Sequence, residues 1–229
     1  FYRAVEHGLN SRDNASLGVD VKWNFLNHFS FYGQYLLDEL VTSQLFGRTE
    51  SWVNKWAYQA GIKYIDIANV KNLDLQLEVN QVRPYFNMHR TKSQNWIHYN
   101  QSLAHPLGAN FRESIAIMRY QPIPRLNLRA MYSHSIQGVD SSLTSTNYGG
   151  NYIRDYNGRP SSTAPMFQGV KNTVSSFSID ASYMLWHNLF LEAGILIRNE
   201  TNGLWSESRN NSLFTFGMRM NMARPHSRI

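Results

Sequence analysis

The sequence predicts an all-β protein, and more specifically a transmembrane antiparallel β-barrel of which about nine strands lie in this chain. Three observations support this prediction. Apolar and polar residues alternate in segments of about ten residues, short and long connections alternate between the segments, and the residues between the apolar ones are small, hydroxylated or charged. Neighbouring side chains on a strand point to opposite faces, so this alternation produces ribbons with one apolar and one polar face.

The alternation is clearest in a hairpin whose strands flank the corner Trp186-His187-Asn188. The nine predicted strands, in order, are 17–25, 29–37, 56–64, 73–79, 111–120, 126–132, 177–185, 189–197 and 214–222. A tilted strand of about ten residues is long enough to cross a bilayer. In 111–120, both alternating sets contain apolar residues, so the sequence leaves its facing open.

The connections favour a barrel over a sandwich of two sheets. The short connections are 26–28, 66–72, 121–125 and 186–188, and the long ones are 39–54, 84–110, 134–172 and 199–211. Outer-membrane barrels have tight periplasmic turns and longer external loops, whereas Greek-key sandwiches mix their connection lengths. We therefore expect a single domain, 1–229, whose apolar face contacts lipid in a bacterial outer membrane.

The composition agrees with this class of protein without deciding it. Only 17% of the residues are charged, against about 25% in ordinary soluble domains, and 14% are aromatic. No run approaches the ~20 apolar residues of a membrane-spanning helix. The absence of cysteine excludes disulfides and thiolate metal sites. A net charge of +6 favours an acidic partner, and nothing indicates nucleic acid.

The number of strands gives an expectation about the remainder of the barrel. If the short turns are periplasmic and both termini lie on that side, the strand number must be even. Nine strands would also leave an open sheet edge in lipid, where backbone groups find no partner. The chain is thus predicted to be the C-terminal part of a larger barrel.

The polar face is predicted to line the lumen. Its acids and bases are nearly balanced, which indicates a cross-linked interior rather than a selectivity filter of one sign. The predicted lumen charge network consists of Asp20, Lys22, Asp74, Glu78, Arg129, Asp180, Glu192, Arg198 and Arg219.

Two long loops, 87–110 and 147–160, combine bases, amides and aromatic rings, which suits a sugar or an anionic glycan. The glycan-binding candidates are Arg90, Lys92, Trp96, His98, Tyr99, Asn100, Gln101, His105, Tyr148 and Tyr152. The alternative is a packed loop that folds inward and plugs the lumen. The sequence shows no nucleophile elbow and no HExxH motif, and its histidine spacing does not suggest zinc. We therefore predict no catalytic residue, metal or cofactor.

Two stretches, YGQYLLDEL (32–40) and HYNQSLAHPLGANFRE (98–113), resemble motifs of the capsule-assembly Wzi-type outer-membrane proteins of Bacteroidetes, a group that includes RemB-like proteins linked to gliding. The segments RPYFN (83–87) and NYGGN (147–151) fit in the same order, so the resemblance covers roughly residues 30–220. It implies a barrel of eighteen strands that anchors capsular polysaccharide. The matching residues of the most specific block are His98, Tyr99, Asn100, Gln101, His105, Pro106, Gly108, Asn110 and Glu113.

The prediction is therefore a non-enzymatic outer-membrane barrel that attaches or organises surface polysaccharide, with membrane lipid and the polysaccharide as its partners. One alternative is a structural subunit of an outer-membrane gliding or secretion complex, with another outer-membrane protein as partner. A second alternative is a diffusion porin, which ion conductance would separate from the other two.

Overall fold

The computed structural model describes residues 16–38, 50–142, 145–205 and 207–221. These residues form one antiparallel sheet of nine strands and contain no α-helix, so the predicted all-β class and nine antiparallel strands are confirmed. The sheet strands are β1 (Leu17–Phe25), β2 (Phe29–Leu37), β3 (Trp56–Tyr64), β4 (Leu73–Val82), β7 (Phe111–Ile123), β8 (Leu126–Val139), β9 (Val170–Trp186), β10 (Leu189–Asn202) and β11 (Arg209–Met220). A separate two-stranded ribbon joins β5 (Ile97–His98) and β6 (Gln101–Ser102).

The strands form a meander, in which each strand of the large sheet pairs with the one that follows it. Three single-turn 3-10 helices, Ile67–Asn69, Lys92–Gln94 and Tyr156–Gly158, lie in the connections. Among the described residues, no helix has the length and apolar character needed to cross a bilayer.

Two of the tight turns place asparagine in the left-handed region, with φ 58° at Asn27 and 65° at Asn188. Asparagine tolerates this conformation because its short polar side chain can bond locally. The sequence therefore places suitable residues where these two hairpins reverse direction.

The register decides the facing of β7, which the sequence leaves open. Met118 pairs with Leu75 and Ala116 with Leu77, so these β7 residues share the apolar face. Ile115 and Ile117 lie on the opposite, inner face. The alternation is ambiguous because the inner face is itself partly covered: Ile117 is buried.

Six strands extend further than their alternation predicts. β4 and β7 each continue by three residues, to Val82 and Ile123, and β11 begins five residues earlier, at Arg209. β8 continues to Val139, β9 begins at Val170 and β10 continues to Asn202. The predicted connection 134–172 shortens to 140–169. The prediction of a long connection at 199–211 is wrong, since only residues 203–208 join β10 to β11. The added residues are mostly polar on both faces, so the alternation ends while the backbone ladder continues.

Some predictions fall outside the described residues. These are Met222 of the predicted ninth strand and residues 39–49 of the first long connection.

The buried core lies between the inner face of the sheet and its own loops. We call residues 50–55, 83–110, 140–142 and 145–169 the loop cap. Tyr85, Met88, Tyr152 and other cap residues pack against Ala57, Val82 and Phe111 at inner positions of β3, β4 and β7. In the described part of the chain, no second sheet covers the apolar outer face, where many large side chains are exposed.

Candidate functional site

The motif block 98–113 anchors the loop cap to the sheet through His105. The Nδ1 atom of His105 accepts a hydrogen bond from Leu107 N at 3.2 Å, which places the proton on Nε2. That nitrogen lies 3.1 Å from Oε2 of Glu113 on β7, and the ring stacks on Phe111 with centroids 4.4 Å apart. Both ring nitrogens thus have partners within the protein.

Asn110 is the main junction between the cap loops. Its side chain is fully buried, and Nδ2 lies 2.9 Å from Gly138 O, 2.9 Å from Gln168 O and 3.3 Å from Tyr148 O. Its Oδ1 accepts a 2.7 Å hydrogen bond from Phe167 N. One amide therefore satisfies backbone groups from β8 and from two parts of the second cap loop.

The segments RPYFN and NYGGN interlock. Tyr85 N donates to Gly149 O at 3.0 Å, and Tyr85 Oη donates to Asn147 O at 2.7 Å. Gly149 has φ +80°, and a Cβ there would lie 2.6 Å from Tyr85 N. Only glycine fits this close approach in the left-handed region. The segments 83–87 and 147–151 are thus neighbours in space, and these contacts hold the two cap loops together.

A buried charged cluster of Lys55, Asp38 and His89 lies inside the cap. Of these residues, only Asp38 continues the alternation of a predicted strand, at an inner-face position after β2. Lys55 and Asp38 have fully buried side chains, with Nζ 3.8 Å from Oδ2. Lys55 also donates to Met88 O at 2.8 Å, and Asn87 N donates to Asp38 Oδ2 at 2.9 Å. His89 Nε2 lies 3.7 Å from Asp38 Oδ1. The cluster has no exposed face for a substrate, so it serves to hold the cap together.

Tyr152 adjoins this cluster and is only 3% exposed. Burial, and next the charge of Asp38, raise the pKa of its hydroxyl above the usual value. Its ring packs in the cap core with little exposed surface, so the burial of Tyr152 does not favour glycan binding, which stays a prediction for this residue.

The other candidate residues divide between the cap interior and its surface. His105 and Tyr148 are partly buried. Tyr148 contacts other cap residues, and His105 contacts Glu113 and Phe111 of β7. Seven candidates are exposed, and we call this set the exposed rim: Arg90, Lys92, Trp96, His98, Tyr99, Asn100 and Gln101.

The β5–β6 ribbon projects the aromatic part of the exposed rim. Tyr99 and Asn100 form its tip with φ 48° and 59°, and Tyr99 is 88% exposed. The His98 ring meets Tyr99 edge-on with centroids 4.4 Å apart, and Trp96 is 43% exposed. The ribbon and the preceding Trp96 thus expose the aromatic faces of Trp96 and Tyr99, together with several hydrogen-bond donors, to solvent.

The register places the predicted lumen charges on one face of the sheet. One cross-strand row contains Asp74, Arg119, Arg129 and Asp180, and these residues border an inner-face hollow of about 890 Å³ together with Glu192. Arg119 belongs to this row although the sequence analysis did not select it, because the facing of β7 was open.

Within that face, ion pairs form between near neighbours. Arg219 Nη2 lies 2.7 Å from Glu192 Oε1, and Arg198 Nη2 lies 3.0 Å from Glu200 Oε2. Glu78 accepts hydrogen bonds from Gln59 at 2.9 Å and Asn80 at 3.0 Å, and also from Tyr32. Asp20 and Lys22 lie on the same face of the edge strand β1.

No protein-family model matches this chain, and a search of curated proteins found no match. Among the described residues, no group of three or more histidine, aspartate or glutamate side chains is arranged to hold a metal ion. What the exposed rim can bind is therefore inferred from the chemistry of its own side chains.

Proposed function

We propose that this chain is part of an outer-membrane β-barrel, similar to the Wzi-type capsule-assembly proteins, that attaches or organises surface polysaccharide without catalysis. The observation that most supports it is the apolar belt on the outer face. On β10 this belt runs from Leu189 to Ile197, and on β3 from Trp56 to Tyr64. Beyond it on β10 the outward residues become polar, as at Asn199.

The belt crosses the strands obliquely. Pairing from strand to strand connects Ile197 of β10 with Ile62 of β3 in one cross-strand row. The upper edge of the belt, on the side of the long loops, is Ile197 on β10. On β3 it is Trp56, six residues closer to the loops than Ile62. Tyr64 shares a row with Ile195, yet the lower edge on β10 is Leu189, six residues lower. Both edges thus shift by six residues across five strand steps.

This shift converts into a strand tilt. With about 3.3 Å per residue and about 4.8 Å between strands, the tilt relative to the belt is roughly 40°. Strands of membrane barrels tilt by about 35–45°. At this angle the belt is about 20 Å tall between Cα atoms, and the side chains add to that height, which matches the ~25 Å apolar band of such barrels. Between these two strands the lower edge follows the same slope, whereas on the upper side the polar outward residues Gln81 on β4 and Ser114 on β7 lie below the line.

Closure requires strands that pair with the outer edges of β1 and β11, which have no other neighbour in the described sheet. An open edge in hydrocarbon leaves backbone groups without partners. The proposal assigns further strands to both edges.

The loop cap favours an anchoring role over a diffusion porin. It packs on inner positions near the loop end of β3, β4 and β7, with Phe111 fully buried beneath it. A pore would instead need an open inner face along its length. The exposed rim then presents aromatic faces for sugar CH groups, and the bases Arg90 and Lys92 for carboxylates or phosphates.

Replacing Trp96 and Tyr99 together by alanine is expected to weaken binding of the cognate capsular polysaccharide at least tenfold, because both stacking faces are lost. Titration calorimetry of the protein in detergent with the purified polysaccharide measures this change. The control is Leu204→Ala, an exposed side chain of the β10–β11 connection. Equal affinity of the double variant and the wild type would contradict the rim's role, and no affinity of the wild type would contradict the proposed function.

A further inference from the structure

The outward positions of the nine sheet strands contain no aspartate or glutamate. The register places every strand carboxylate on the inner face: Asp20, Asp74, Glu78, Glu113, Asp180, Glu192 and Glu200. The outward ionisable residues, tyrosine apart, are Arg112 on β7, His134 on β8 and Lys171 on β9. All three lie toward the loop end of the sheet.

These three residues form one patch across adjacent strands. Arg112 pairs with Ile136, which lies two residues from His134 on the same face, and Ile136 pairs with Thr173, two residues from Lys171. Arg112 Nε donates to Gln81 Oε1 at 2.7 Å, and His134 Nδ1 lies 2.9 Å from Ser175 Oγ. The guanidinium of Arg112 and the ammonium of Lys171 belong to exposed residues.

The patch sits at the upper edge of the apolar belt. Arg112 lies four residues above Ala116, and His134 lies two above Tyr132, on the row that reaches Ile197. A straight line across the sheet from Trp56 on β3 to Ile197 on β10 marks the upper edge of the belt. This line crosses β7 about four residues above the row, and it crosses β8 about two residues above the row. Arg112 and His134 therefore lie at the boundary, and Lys171 lies above it.

The acids nearest in sequence to this patch are already engaged. Glu113, which follows Arg112 in the chain, lies on the inner face with Oε2 3.1 Å from His105 Nε2. Asp140, directly after β8, has a side chain that is 5% exposed, with Oδ2 2.6 Å from Arg154 Nη1 and Oδ1 bonded to Tyr148 N. Cations at a membrane surface attract acidic lipid headgroups, and basic side chains near the boundary extend toward them.

We propose that Arg112, His134 and Lys171 form a binding site for the phosphate-bearing headgroup of an outer-leaflet lipid. This inference rests on the proposed membrane location. A position at the belt edge favours lipid over the distant polysaccharide, because a headgroup there stays attached to acyl chains that cover the belt.

The test compares spin-labelled phosphatidylglycerol and phosphatidylcholine around the full protein in phosphatidylcholine vesicles. We expect wild type to prefer the acidic lipid several-fold, by roughly fivefold for a single well-placed base. The triple variant Arg112→Gln, His134→Gln, Lys171→Gln should lose this preference. The matched control Arg119→Gln, Arg129→Gln removes two cations from the inner face and should keep it.

The outcomes separate the two proposals. If neither lipid shows a motionally restricted component in the spin-label spectrum, the protein does not contact lipid and the proposed function fails. If both lipids are restricted equally around wild type, or if the triple variant keeps the preference, the headgroup site is overturned while the membrane location stands. Loss of polysaccharide affinity in the triple variant with unchanged lipid preference would reassign the patch and also overturn the inference.

Discussion

Replacing Asn110 by glycine is expected to loosen the loop cap by about 3 kcal/mol or more. Gly138 O, Gln168 O and Phe167 N lose this side-chain partner, and each buried polar group left unsatisfied costs about 1–3 kcal/mol. Tyr148 O keeps a 2.9 Å hydrogen bond from Gln168 Nε2. Glycine keeps the φ of +57°, so backbone strain does not contribute. Limited proteolysis of the detergent-solubilised protein should show faster cleavage within 83–110 and 145–169.

The matched control for this substitution is Asn100→Gly. Asn100 has a similar φ of 59° but is exposed at the tip of the β5–β6 ribbon. The substitution Asn100→Gly should leave the cleavage rate in 145–169 unchanged. If Asn110→Gly and Asn100→Gly are cleaved there at the same rate, Asn110 does not hold the cap loops together.

Replacing Lys55 by methionine is expected to cost about 3–5 kcal/mol of stability, since removing one partner leaves a charge buried in a site built for a pair. The Lys55 ammonium lies 3.8 Å from Asp38 and about 5 Å from the rings of Trp52 and Tyr156. The double variant Lys55→Met, Asp38→Asn should cost clearly less than the sum of its single variants. Chemical denaturation of the four proteins in detergent measures this coupling.

An exposed ion pair provides the comparison. Arg198, with a side chain 47% exposed, bonds Glu200 on the inner face of β10, and Arg198→Met should cost less than about 1 kcal/mol. A loss of stability in Lys55→Met no greater than in Arg198→Met would show that the buried pair does not stabilise the cap.

Alternation predicts the strands well wherever one face is apolar and the other polar. It fails above the belt, where Asn199, Glu200 and Thr201 continue β10 with polar residues on both faces. It also leaves β7 open, because the apolar residue Ile117 lies on the inner face and is buried there. An apolar residue in the pattern predicts an apolar environment for its side chain. The pattern does not distinguish an environment made by lipid from one made by other parts of the protein.

The candidate site was predictable only in part. The exposed members of the loop, such as Tyr99 and Trp96, follow from local composition. The burial of Tyr152 and the pairing of Lys55 with Asp38 depend on contacts between loops far apart in the chain, which no local pattern specifies. Asn110 lies in the motif block, but its role emerges only when Gly138 and Gln168 are placed beside it.

The proposed membrane location requires that the outer face of the sheet contacts lipid. The chain has no cysteine, so single-cysteine variants along 189–200 can each carry one spin label without background. In reconstituted vesicles, accessibility to oxygen should peak at Leu191, Ala193, Ile195 and Ile197. Accessibility to a water-soluble nickel chelate should peak at Glu192, Gly194 and Leu196, although Leu196 is as apolar as its neighbours. Labels at the outward positions that are as accessible to the nickel chelate as those at the inward positions would show that the outer face does not contact lipid.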